Sequence, residues 1–186
     1  QKTLALEINP CGKYLISTCA AEEEELLNYL ENARNNGVEG IRPVTTNEIR
    51  ELSEYVSIHN GFFSPTTACL NVSAALKQIR GDLERKEVYL FLQNKVSSIT
   101  LDQGERYPFM ITTQREKFQS RFLINAAGLF CCEIRRSLGL YDLESYWVKG
   151  NYVKLNFPYY NRHLIYPVPI KGLKGLGIHT SMDVDG

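Results

Sequence analysis

The sequence predicts an α+β fold, a mixed or antiparallel β-sheet with helices packed on it, from three observations. Amphipathic helical runs come early, near residues 22–35, 45–52 and 71–83, with apolar side chains recurring three and four positions apart. From residue 88 onward the apolar period shortens to two, in short segments bounded by turn residues. A third signal is the apolar run Phe122-Leu123-Ile124, followed by the small residues Asn125-Ala126-Ala127-Gly128 and then by helical spacing up to Leu140.

In chain order, residues 12–19 are β-rich and read as a strand. Glu22 to Glu25 open a helix whose positive N-terminal end suits acidic residues, with Leu26, Leu27, Leu30 and Ala33 as its apolar face. A solvated first turn explains these glutamates better than a metal or basic-partner site. Asn35-Asn36-Gly37 stops the helix. Residues 38–44 are extended up to Pro43, and Thr45 with Glu48 has capping-box spacing ahead of a short helix through Ile49 and Leu52. Residues 56–70 read as irregular strand and loop, with His59 unassigned. Asn71 is a plausible N-cap for a helix to about Leu83, with Val72, Ala75, Leu76 and Ile79 turned inward.

Residues 88–92, 95–101, 109–114 and 121–124 then read as strands, with a turn at Asp102-Gln103-Gly104. The stretch 122–140 reads as a buried strand, a small-residue turn and a helix with Leu129, Ile134 and Leu138 on one face. Such a turn lets a ligand phosphate approach helix N–H groups closely, or it is simply a tight βα connection. Residues 146–156, 162–168 and 176–181 complete the strands, separated in part by a Gly- and Lys-rich loop.

Composition narrows the function. The 186 residues are 44% hydrophobic and 23% charged, as expected of a globular chain with a real core. The 21 basic and 21 acidic residues cancel, so no net field favours nucleic acid or an anionic membrane. No apolar run has membrane-spanning length, and no basic-then-apolar leader opens the chain. Five cysteines without metal-knuckle or redox-pair spacing imply reduced thiols and a cytoplasmic protein, with no metal site expected. Gln1 and the closing turn Asp183-Val184-Asp185-Gly186 mark the chain as an excised piece of a longer one.

Four blocks, in order, resemble the FAD-dependent D-amino-acid-oxidase-type superfamily, most of all its L-2-hydroxyglutarate oxidase/dehydrogenase family. The first runs from Cys11-Gly12-Lys13-Tyr14-Leu15-Ile16 through Gly37-Val38-Glu39-Gly40 to residues 45–52. The second is Ser64-Pro65-Thr66-Thr67 leading into the helix after Asn71. The third is residues 122–128, with Lys95-Val96-Ser97-Ser98-Ile99 upstream. The fourth joins Lys149-Gly150-Asn151-Tyr152, His163-Leu164-Ile165-Tyr166-Pro167-Val168-Pro169 and Gly177-Ile178-His179-Thr180, with Asp185-Gly186. The pair Ile-Tyr-Pro-Val-Pro and Gly-Ile-His-Thr is the most specific, since no generic fold demands it.

The superfamily's opening Gly-x-Gly-x-x-Gly turn does not occur here. The resemblance therefore implies an internal fragment, 1–186, mainly a substrate-binding domain, with about 70–130 contributing to the FAD-binding part. Such a fragment alone is expected to be inactive and to hold no tightly bound flavin. The complete enzyme would oxidise L-2-hydroxyglutarate, a small-molecule 2-hydroxy acid, with FAD as cofactor. The family usually has Gly and an acid where this chain has Ala68 and Asn71, and Arg-Gly-Glu-Tyr where it has Lys149-Gly150-Asn151-Tyr152. Those departures leave room for a sister activity on glycerol 3-phosphate, an amine or an amino acid; a non-catalytic domain of the same fold is a further alternative. Electron acceptor, oligomeric state and membrane association of the full-length enzyme stay open.

Histidine suits removal of a hydroxyl proton, because its unperturbed pKa lies near 6.5. The resemblance makes His179 the candidate base or substrate ligand. Tyr166 and Thr180 become pocket residues, and Lys149 and Tyr152 the anchor for a distal carboxylate. Period two puts Leu164 and Tyr166 on one strand face and His163 on the other, so His163 is expected to be structural. By the same resemblance, Val96 meets the adenine end of FAD, and Ala126, Ala127 and Gly128 form the turn beside the cofactor.

Overall fold

A computed structural model describes residues 6–155, 162–169 and 177–182. In chain order these form β1 (Ile8–Asn9), β2 (Lys13–Ser17), α1 (Glu23–Asn35), β3 (Arg42–Pro43), α2 (Thr46–Leu52), β4 (Asn60–Ser64) and β5 (Cys69–Leu70). They continue with α3 (Val72–Arg85), β6 (Val96–Leu101), β7 (Phe109–Thr113), β8 (Lys117–Ser120), α4 (Cys131–Ser137) and β9 (Leu164–Pro167). Contacts divide the chain into a larger unit, Gln1–Glu87 with Tyr152–Gly186, and a smaller one, Val88–Asn151. The expected α+β class is borne out.

In the larger unit a four-stranded sheet runs β3-β4-β2-β9. β2 is antiparallel to β4 and parallel to β9, with Leu15 opposite both Phe62 and Tyr166. The two-residue period then sorts the core. On one face Tyr14, Ile16 and Ile165 pack with Val44 and with Leu52 of α2. On the other, Phe62 and Val168 pack with Leu26 and Leu30 of α1, joined by Leu15. Gly61 sits where β4 crosses β2 most closely. A Cβ there would lie 2.9 Å from the Leu15 carbonyl oxygen and 3.0 Å from Val44 Cγ2. Gly61→Ala should therefore cost about 1–3 kcal/mol of stability, read as a lowered urea midpoint; an unchanged midpoint would contradict this packing.

Local signals behave mostly as the sequence predicts. The capping box forms, with the Thr45 side chain accepting from Glu48 N and Glu48 returning to Thr45 N. Asn71 caps α3 by accepting from Ala74 N. Gly37 takes φ +73° just past α1, where its lack of a side chain permits that turn. His59, unassigned from sequence, places Nε2 3.6 Å from Glu23. Residues 60–64, read as irregular, are a regular central strand, because Asn60, Gly61 and Ser64 hide the apolar pattern until β2 pairs with them.

Other expectations need correction. Leu27 is turned to solvent, and of the α3 side chains expected inward only Ala75 is buried; Val72 and Leu76 are each 60% exposed. Residues 88–92 form no strand. In the smaller unit the antiparallel sheet is β6-β7-β8. Its third strand arises because Thr113 closes a tight turn, donating from N and Oγ1 to the Glu116 carbonyl. That places the strand at Lys117–Ser120, ahead of the expected 121–124. Ser120 Oγ then accepts from Phe122 N and donates to Phe122 O, bending the chain away. Phe122-Leu123-Ile124 is consequently no strand, and Ile124 is 89% exposed. Leu129 is exposed as well, so α4 shows a narrower apolar face than expected. Residues 146–155 carry no regular structure, and neither do 177–181; Asn156, Leu176 and the expected closing turn at 183–186 lie outside the described residues.

Candidate functional site

The parallel pairing of β2 with β9 builds the site. Because Leu15 stands opposite Tyr166 and Lys13 opposite Leu164, Lys13 and Tyr166 share a sheet face and are both half-buried. Lys13 Nζ lies 5.3 Å from the Tyr166 ring centroid. On the same ring, 4.7 Å away, rests the imidazole of His179. His179 is delivered by the segment 177–182. Thr180 N donates to Ile165 O at 3.0 Å, and Thr180 Oγ1 accepts from Ile165 N at 2.7 Å. These two bonds dock the segment beside β9.

The chemistry of the group follows from its bonds. His179 Nδ1 is 3.2 Å from Gly177 O, an acceptor only, so in the neutral ring the proton sits on Nδ1 and Nε2 is the acceptor. The Tyr166 hydroxyl is held above its ordinary pKa, first by burial and then by the charges that Cys69, Tyr152 and Cys11 would carry when ionised. It therefore remains a neutral donor at physiological pH. Cys11 and Cys69 sit with sulfurs 3.6 Å apart, and burial pushes the Cys11 thiol up. Imidazole, phenol and ammonium are thus grouped around one ring, a set able to hold an acid and take a proton.

The expected division of β9 between two faces is present. His163 lies on the opposite face, edge-on to Tyr14 at 5.3 Å and to Phe63 at 4.9 Å, with Nδ1 against the Cys11 carbonyl. Thr180 serves as a clamp through the oxygen expected to face substrate. Tyr152 belongs to the larger unit and is 81% exposed; Lys149 is exposed in the smaller unit. Sequence reasoning passed over Lys13, because its proximity to Tyr166 depends on a pairing between distant segments.

In the smaller unit an open cavity of about 350 Å³ lies between β6 and α4, lined by Lys95, Val96, Ser97, Ser98, Glu133 and Ser137 among others. Its ammonium, hydroxyls and carboxylate match the phosphates and sugar hydroxyls of a dinucleotide. Asn125 shapes the turn before α4 by accepting from Ala127 N and donating to Cys131 O. Gly128 has φ +55°, and a Cβ there would meet no atom within 4 Å. Beside Ala126 and Ala127, this leaves backbone open to close approach, so the residues present fit part of an FAD site. Gly128 to Phe130 form a single 3-10 turn and α4 has only seven residues, so the phosphate-facing helix start expected from sequence is not built. Among the described residues, no cluster of ligating side chains suits a metal ion, and no helix is long and apolar enough to cross a membrane.

The larger unit is thus a mixed sheet with a helix packed on each face. Over 96% of its length this chain matches L-alpha-glycerophosphate oxidase of Mycoplasma pneumoniae, solved with FAD bound, at TM-score 0.74 and 18% identity, covering 48% of that protein. The chain belongs to the DAO family of FAD dependent oxidoreductases, whose family model matches residues 1–186. Its relatives include L-2-hydroxyglutarate dehydrogenase of Indibacter alkaliphilus, 25% identical over 94% of this chain and 44% of that protein. The enzyme of the same name from Escherichia coli K12 is 27% identical over 95% of this chain and 42% of its own length. The chain thus spans less than half the length of these curated relatives. The family resemblance read from the four motif blocks is borne out.

Proposed function

We propose that the complete protein oxidises L-2-hydroxyglutarate to 2-oxoglutarate, with His179 and Tyr166 at the reacting carbon. The observation that carries this reading is the His179–Tyr166 pair, with Nε2 of His179 left free to accept a proton. In this reading Nε2 takes the proton of the C2 hydroxyl, and the Tyr166 hydroxyl donates to the substrate. Thr180 contributes by fixing His179 beside β9. Bound FAD supplies the acceptor for the C2 hydrogen and its electron pair. Val96 and the Ala126-Ala127-Gly128 turn would hold the cofactor through backbone, with about 70–130 contributing to that part of the enzyme. The family relatives of that name support the substrate, as does the balance of an acid site. The five free thiols support a cytoplasmic location.

Product analysis on the flavin-loaded enzyme tests the reading against its neighbours. Formation of 2-oxoglutarate from L-2-hydroxyglutarate supports it; turnover of glycerol 3-phosphate, an amine or an amino acid instead contradicts it. Lys149 and Tyr152 take the distal carboxylate in this scheme. Lys149→Ala should then raise KM for L-2-hydroxyglutarate roughly 10- to 100-fold and leave a monocarboxylic 2-hydroxy acid nearly untouched, as loss of one charge-assisted bond dictates. Equal losses on both acids would remove Lys149 from the anchor.

A further inference from the structure

Lys13 opens β2 with its side chain on the same face as Tyr166, half-buried rather than free in solvent. Its ammonium faces the Tyr166 ring at 5.3 Å, and His179 lies tilted against that ring, centroids 4.7 Å apart. The ion pairs of the described residues use Arg42, His59, Arg80, Arg85 and Arg135, so among the described residues Lys13 meets a π-face and no carboxylate. A half-buried ammonium in such a place is incompletely satisfied, since a ring face supplies little beside an anion. The neighbouring Tyr166 hydroxyl, kept protonated, is a second donor. The three side chains therefore offer two donors and, at His179 Nε2, one acceptor. A carboxylate with a hydroxyl on the adjoining carbon is the matching ligand, because it brings two acceptors and one donor at short separation.

We propose that Lys13 is the residue that anchors the C1 carboxylate, the one every 2-hydroxy acid carries beside the reacting carbon. This rests on the reading of the site as a 2-hydroxy acid site. Lys13 Nζ and the Tyr166 hydroxyl donate to the carboxylate oxygens, which directs the C2 hydroxyl to His179 Nε2 and fixes which face of C2 is presented. Selectivity then divides between two lysines. Lys13 selects for a 2-hydroxy acid of any length, whereas Lys149 selects for the second carboxylate.

Steady-state kinetics of Lys13→Met and Lys13→Arg in the flavin-loaded full-length enzyme test this, with L-2-hydroxyglutarate and L-2-hydroxybutyrate as substrates. Met retains the apolar stem over the Tyr166 ring, so the melting temperature should stay close to that of the parent. KM should rise roughly 10- to 100-fold for both acids by a similar factor, and Arg should recover most of that loss by restoring donors. A purely structural lysine would move the melting temperature and leave the KM of the folded enzyme alone. Unchanged KM for both acids, or a rise confined to the dicarboxylate, overturns the assignment while leaving the reaction intact. Should the Met variant fail to fold, Lys13→Gln is measured in its place with the same two outcomes. A parent enzyme that oxidises neither acid overturns both this assignment and the reaction on which it rests.

Discussion

His179→Asn should slow flavin reduction by substrate roughly a hundredfold or more while leaving the fold and flavin content intact. The argument rests on one lone pair. In the neutral ring Nδ1 donates to the Gly177 carbonyl 3.2 Å away, which leaves Nε2 as the basic nitrogen. Asparagine can keep a donor towards Gly177 but offers no nitrogen base, and removal of a general base typically costs a hundred- to ten-thousandfold. The segment itself is held by the two Thr180–Ile165 bonds, which involve neither ring nitrogen. The substitution should therefore spare the docking of residues 177–180. Stopped-flow reduction and a melting curve on the same variant separate the possibilities. A destabilised variant that still reduces flavin at the parent rate would remove His179 from catalysis.

A second large effect is expected at Glu48, far from the chemistry. Its carboxylate accepts from Arg42 twice, at 2.8 and 2.7 Å, from Thr45 N and Oγ1 at 2.8 Å each, and from the Tyr14 hydroxyl at 2.9 Å. Arg42 in turn lies over Phe63, 4.8 Å from its centroid. The Arg42 bonds above all, then those of Thr45 and Tyr14, hold the Glu48 carboxyl well below the usual carboxylate range despite its partial burial. Burial, and then Glu48 itself, push the Tyr14 phenol above its ordinary value. Glu48→Ala should cost about 2–4 kcal/mol, since it orphans the buried Tyr14 hydroxyl and removes the Glu48 half of the α2 capping box together.

The sign of the pH dependence follows from the depressed value. Folded Glu48 gives up its proton more readily than unfolded Glu48, so its stabilisation is complete above the ordinary carboxylate pKa. It fades as pH falls through and below that range towards the folded value. Urea unfolding at pH 7 and pH 3 should show the parent losing more stability on acidification than the Glu48→Ala variant. Equal acid losses in the two proteins would mean that Glu48 is not the linked group.

The contrast between α2 and β9 shows what the sequence could reveal. The helix start at Thr45 is a contract between residues three apart, so spacing alone exposes it. The face assignment of Tyr166 and His163 is likewise local, resting only on strand alternation. Lys13 belongs to the site for a different reason: β2 and β9 run side by side although some 150 residues of sequence separate them. No local pattern encodes that neighbour. The strand expected at Phe122-Leu123-Ile124 fails for a related reason. Apolar content signals burial, yet a strand also needs a pairing edge, and Ser120 turns the backbone away before the described residues supply one. The stripe Val72, Leu76 and Ile79 on α3 reads as core by spacing and stands largely exposed for want of a partner within the described residues.

The central claim is that the group formed by Tyr166, His179 and Lys13 is a 2-hydroxy acid oxidation site. Anaerobic mixing of the flavin-loaded enzyme with L-2-hydroxyglutarate tests it most directly, by following flavin absorbance through a single turnover. The account predicts full bleaching, with one 2-oxoglutarate formed per flavin. Persistence of the absorbance with L-2-hydroxyglutarate, alongside bleaching by glycerol 3-phosphate, an amine or an amino acid, would contradict it.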